Sequence, residues 1–75
     1  MCIDEINIDD IVCYGIFGYK VLDKSVQNNL VRVCTVYKFK DRSCRTIVEK
    51  RINGETHTVT PDCFSRKYVT KAVIL

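Results

Sequence analysis

From Leu30 to Thr60 the side chains change character at almost every step. Val31, Val33, Thr35, Tyr37 and Phe39 take the odd positions. Arg32, Cys34, Lys38 and Lys40 take the even ones, with Val36 the exception. A strand sends successive side chains to opposite faces, so this period of two in β-branched and aromatic residues predicts a half-buried strand. Asp41-Arg42-Ser43 then reads as a turn, Cys44 to Ile52 as a second strand, and Glu55 to Thr60 as a third. Between the last two, Asn53-Gly54 is a hairpin signal, because a type I′ turn needs positive φ at both central residues. A slip of one residue in such a meander turns every side chain over, so few alternatives keep the apolar set together.

A two-residue loop at Asn53-Gly54 sets Ile52 against Glu55, Lys50 against His57 and Val48 against Val59. A two- or four-residue turn at Asp41–Ser43 extends that face through Tyr37–Val48 and Phe39–Thr46. A three-residue turn would place Phe39 beside Arg45 and scatter the core. The opposite face then holds Arg32, Cys34, Val36, Lys38 and Lys40, next to Arg45, Ile47, Glu49 and Arg51, next to Thr56, Thr58 and Thr60. Five bases face one acid there.

The remaining segments read as the other strands of one small domain spanning residues 1–75. Met1–Asp10 mixes Ile3, Ile6 and Ile8 with acids, and residues 1–9 fit an arm or an extra edge strand. Gly15 and Gly18 interrupt the β-rich run Ile11–Leu22. Glycine inside a strand marks a bulge or bend, so this run is one bent strand or two strands around a loop at Tyr14–Tyr19. Asn28-Asn29 suits a turn. Thr60-Pro61 starts a helical turn over Pro61–Arg66, and Tyr68 to Leu75 reads as the closing strand.

Together these elements resemble the SH3-like small barrels, the group that includes Tudor and KOW modules. The likeness rests on Asp10-Ile-Val and Gly18-Tyr-Lys-Val-Leu near the start, and on Gly54-Glu, Val59-Thr-Pro-Asp-Cys-Phe64 and Tyr68-Val near the end. It implies an all-β barrel of about five antiparallel strands with a short helical turn before the last one. A partly open OB-like barrel and a twisted sheet with one helical turn accommodate the same elements.

Composition narrows the function. The net charge of +3 is uneven: residues 1–19 carry Asp4, Glu5, Asp9 and Asp10 and no base, while all twelve bases lie beyond. Such asymmetry points either to an anionic partner or to two ends that neutralise each other. Five cysteines, an odd number, without a basic and apolar leader argue for reduced thiols in the cytoplasm. No apolar run is long enough for a membrane span. Cys34, Cys44, His57 and Cys63 lack the paired spacing of structural zinc, so no metal or other cofactor is expected. A Cys63–His57 nucleophile pair with Asp62 nearby lacks an oxyanion pocket in so short a chain, and no enzyme is expected.

Binding is what remains. Arg32, Lys38, Lys40, Arg45 and Arg51 are the candidate basic surface, with Tyr14, Phe17 and Tyr19 as an aromatic loop beside it. Bases on a sheet track phosphates and aromatics stack nucleobases, which makes nucleic acid one expected partner. A chain opening at Met1 without a tether reads instead as a small regulator or inhibitor of a protein partner, in the manner of viral or phage proteins acting on host machinery. This is the preferred expectation. Strand edges and the apolar Ala72, Val73, Ile74 and Leu75 offer homodimer contacts.

Overall fold

The computed structural model describes residues 2–68 and 73–74, with side chains described for 2–50 and 56–68. One six-stranded sheet takes β1 (Ile11–Tyr14), β2 (Phe17–Ser25), β3 (Leu30–Phe39), β4 (Thr46–Val59), β5 (Arg66–Tyr68) and β6 (Val73–Ile74). The order is β5-β1-β2-β3-β4-β6. All pairings are antiparallel except that of β6, which runs parallel to β4. The expected all-β class holds, with six strands rather than five. A 3₁₀ turn at Pro61–Cys63 precedes β5 as expected, within the predicted span.

The sheet is curled. β5 ends at Tyr68 on one edge and β6 begins at Val73 on the other. Five Cα steps reach at most about 18 Å, whereas a flat sheet would hold its outer strands about 24 Å apart. The predicted single closing strand is therefore divided between opposite edges. Ala72 and Leu75 lie outside the described residues.

Glycines and asparagines set the turns. Gly15, with φ +62°, and Ile16 form the two-residue loop between β1 and β2, so the run from Ile11 is two strands. Residues 26–29 join β2 to β3, where Asn29 takes φ +54°. Gly18 meets a different demand. A β-carbon there would fall 2.7 Å from Phe39 Cε2 and 2.8 Å from Ile11 Cγ2, so only glycine lets the Phe39 ring lie against β2.

Two expectations about the meander fail, both through bulges. Asn53-Gly54 does not reverse the chain. β4 is one strand of 14 residues, and residues 53–56 form an excursion opposite Cys34, between the pairs Thr35↔Ile52 and Val33↔His57. Consequently Lys50 opposes Tyr37, with its Nζ 5.9 Å from the ring centroid, and His57 opposes Val33. The pairings Lys50–His57 and Val48–Val59 do not occur. A second bulge at Val48, between Lys38↔Glu49 and Phe39↔Ile47, reverses the parity below it. Ile47 is buried and Val48 is exposed, the opposite of the expected faces.

The core has two clusters. β1 is buried on both sides: Val12 joins Ile3, Ile6, Val21, Val31, Val33 and Phe64, whereas Ile11 and Cys13 join Tyr37, Phe39, Cys44 and Ile47. Ile3 and Ile6 place the N-terminal arm in the first cluster, through a 3₁₀ turn at Ile3–Glu5 rather than an edge strand. Lys67 fastens this arm, donating to the Glu5 carbonyl at 2.8 Å and pairing with Asp10 at 3.0 Å. Ser65 fixes the start of β5 by donating to the Cys13 carbonyl from both its backbone N–H and its hydroxyl.

Candidate functional site

An apolar groove of about 530 Å³ opens on one side of the sheet. Its floor is Val33, Val59 and Phe64 from the first core cluster, with Tyr19 leaning on Phe64 at 6.2 Å between ring centroids. Its walls are Tyr14, His57 and Cys63, all exposed. Local structure explains the assembly. Alternation along β1 and β2 places Val12 and Tyr14 on one face with Tyr19, since Tyr19 opposes Val12. The long β4 brings His57 and Val59 across from Val33 and Val31. Pro61 then stops the strand, and the 3₁₀ turn carries Cys63 and Phe64 over the groove. The Thr60 hydroxyl does not cap that turn; it meets Cys63 Sγ at 3.1 Å instead.

Tyr14 stands out because it is 63 % exposed above this floor. A tyrosine offers a large apolar area and a polar tip at low entropic cost, the chemistry of an anchor for a partner. Of the predicted aromatic loop, Tyr14 and Tyr19 enter the groove. Phe17 lies apart, in a small depression with Val36, Lys38 and Glu49.

The predicted basic surface is present but interrupted. Arg32, Lys38, Lys40 and Arg45 are exposed. Lys38 is flanked by Phe17 on β2 and Glu49 on β4, and Arg32 by Asp23 and Thr58. Opposed residues on neighbouring strands share a face, so each of these two bases has an acid beside it. Arg51 pairs through its backbone with Val36, and its side chain lies outside the described residues. Lys40, Arg42 and Arg45 crowd the loop before β4 around Asp41. Hydrogen bonds from the Ser43 hydroxyl and backbone N–H, and then Lys40 and Arg45, hold the Asp41 carboxyl below its ordinary value.

The acidic arm goes elsewhere. Among the described residues its ion pairs are Asp9–Lys20 at 3.9 Å and Asp10–Lys67 at 3.0 Å. Asp10 also accepts from the Asn7 N–H at 2.8 Å. Neither pair involves Arg32, Lys38, Lys40 or Arg45.

Sequence reasoning names Tyr14 and Tyr19 but misses the groove. Its floor comes from the paired strands β3 and β4 and from the residue after the 3₁₀ turn, which lie far apart in the sequence. From the sequence, Cys63 and His57 suggest a zinc ligand set or a nucleophile pair; in the fold both line one apolar trough. No group of three or more metal-binding side chains occurs among the described residues, and no described helix is long and apolar enough to cross a membrane. No protein-family model matches the chain, no curated protein matches it in sequence, and no solved structure matches its fold.

Proposed function

We propose that this chain is a non-catalytic binding protein that modulates a protein partner by gripping an apolar segment of it in the groove under Tyr14. The exposed Tyr14 ring in a groove lined by the buried Val33 and Phe64 and the half-buried Tyr19 and Val59 carries this reading. Filling such a trough removes apolar surface from water at about 25 cal/mol per Å². His57 and the tyrosine hydroxyls supply polar contacts at the rim, which orient a segment held mainly by its apolar side chains. The 3₁₀ turn and the return of β5 onto β1 support the likeness to SH3-like barrels. Action within the cytoplasm, as a viral or phage product on host machinery, belongs to the same reading.

Selection from a displayed library of linear peptides tests it. The wild-type chain enriches peptides with an aromatic or branched apolar anchor, and Tyr14→Ser loses them while keeping its unfolding midpoint. Absence of enrichment by the wild type, or equal enrichment by Tyr14→Ser, refutes the proposal.

A second reading is supported by one observation: Phe17 lies directly beside Lys38 on the strand that leads into the basic 40–45 loop, while Asp9 and Asp10 of the arm pair with Lys20 and Lys67. Under that reading a nucleic-acid strand runs along β3 and the loop. Titration of labelled single- and double-stranded nucleic acid across a salt series, with Lys38/Lys40/Arg45→Ala beside the wild type, decides it. Steeply salt-dependent binding that the triple variant loses supports phosphate contact, and no binding at low salt rejects it.

A further inference from the structure

Neither binding surface uses the pair of thiols at the centre of the second core cluster. Cys13 on β1 and Cys44 in the 40–45 loop are both fully buried in this one cluster, where burial and then the nearness of Cys44 raise the Cys13 thiol. Their settings differ. Cys13 sits in the middle of the sheet, paired with Gly18 on β2 and Arg66 on β5. Cys44 is the one buried residue of a loop whose other members, Lys40, Asp41, Arg42, Ser43 and Arg45, are exposed. It takes the left-handed conformation with φ +55°, which a side chain of this kind rarely adopts unless its surroundings hold it. Its backbone N–H donates to the Asp41 carbonyl at 3.2 Å, and its single S–H is shared between the Arg42 carbonyl at 3.6 Å and the Gly15 carbonyl at 3.7 Å. Arg66, opposite Cys13 on β5, completes the surroundings by donating to the Arg42 carbonyl.

We propose that Cys13 and Cys44 are a redox lock, in which a peroxide closes a disulfide that ties the basic 40–45 loop to β1. The Cys44 sulfur attacks the peroxide when the loop opens. An S–O bond forms, the O–O bond breaks, and the Cys44 proton leaves with the departing alcohol or water. Cys13 then attacks the resulting sulfenic acid. The S–S bond forms, the S–O bond breaks, and the hydroxyl leaves as water with the Cys13 proton. Two electrons pass from the two thiols to the peroxide. Arg66, a cation on the strand position opposite Cys13, favours the anionic form on this path. Cys44 lies on an otherwise exposed loop and Cys13 inside the sheet, which leaves the first attack to Cys44. The lock restrains Lys40, Arg42 and Arg45, the bases any anionic partner would meet.

The test is treatment of the folded chain with hydrogen peroxide, followed by intact mass and peptide mapping. It is run on the wild type and on Cys2/Cys34/Cys63→Ser, which keeps only the proposed pair. The expected result is a loss of about 2 Da and a Cys13–Cys44 linked peptide in the native protein. A closed loop of this length raises the unfolding midpoint by about 10 °C or more, and a thiol reductant reverses the change. The proposal is overturned if Cys2 or Cys63 oxidises in the native wild type while no Cys13–Cys44 peptide forms. Formation of the link only in denaturant, or a midpoint that stays level or falls after it forms, overturns it equally.

Discussion

Gly18→Ala places a methyl group where the second core cluster has no room. The added carbon would meet Phe39 Cε2 at 2.7 Å, Ile11 Cγ2 at 2.8 Å and Phe39 Cζ at 3.1 Å. Carbon atoms sit comfortably at about 3.5–4.0 Å, so nearly an ångström must be recovered on two sides at once. Neither neighbour can retreat into solvent, since Phe39 is 1 % and Ile11 2 % exposed. The Phe39 ring is also held edge-on by Tyr68 at 5.2 Å. Overpacking of this kind costs about 1–3 kcal/mol. One effect opposes it. Gly18 lies outside the left-handed region, so alanine restricts the unfolded chain and returns about 0.4–1 kcal/mol. The net loss is about 1–2 kcal/mol, against about 3–5 kcal/mol available to a domain this small. Equilibrium unfolding in urea of the wild type, Gly18→Ala, Phe39→Leu and the double variant measures it. Removing the ring edge makes room, so alanine should cost about 1 kcal/mol less in the Phe39→Leu background. A Gly18→Ala chain as stable as the wild type, or an equal loss in both backgrounds, would refute the packing argument.

Gly15 gives the contrasting case: a methyl group added there would find nothing within 4 Å, but the backbone φ is +62°. Gly15→Ala should therefore cost about 1 kcal/mol through backbone conformation alone, and Gly15→Asn less, as read from urea midpoints. Lys67→Met removes the ion pair to Asp10 and the bond to the Glu5 carbonyl; about 1–2 kcal/mol should be lost. Limited proteolysis should then cut within residues 2–10 faster than in the wild type. Cys13 makes stability fall at high pH. Its folded value of about 12 lies above the ordinary 9.0, so the folded state holds the proton more tightly. That contribution is complete below pH 9 and declines at about 1.4 kcal/mol per pH unit between 9 and 12. Cys13→Val should flatten this part of the profile, and an unchanged slope would assign it to other groups.

Much of the strand pattern is legible because it depends on neighbours along the chain. The alternation from Leu30 to Phe39 marks β3 to within a residue, and Gly15, Asn29 and Pro61 punctuate where their backbone preferences require. The failures are those that local chemistry cannot settle. Asn53-Gly54 has strong turn chemistry, yet β3 continues past it and offers partners to residues 57–59, so the pairing absorbs the turn as a bulge. Val48 and Ile47 are equivalent to any periodicity argument, and one extra residue decides which is buried. The short closing segment cannot announce that its two halves serve opposite edges. The site divides the same way. Tyr14 and Tyr19 are visible as aromatics near a turn, whereas Phe64, Val33 and Val59 lie far apart in the sequence and become a floor only in the fold.

The clasp between the chain's two ends has a kinetic meaning. Ser65 and Cys13 are 52 residues apart in sequence, and Lys67 and Glu5 are 62 apart. Closing loops of that size costs roughly 3–4 kcal/mol in chain entropy, while the β1–β2 hairpin spans only two residues. The hairpins of β1 through β4 can therefore assemble first, and β5 with the arm docks last, sealing Ile3, Ile6 and Phe64 into a core that was open until then. The same order run backwards describes fraying: arm and β5 detach together, exposing Phe64 and with it the floor of the groove. Occupancy of the groove and attachment of the chain ends should thus rise and fall together, so a bound partner would slow hydrogen exchange at residues 3–6 without touching them.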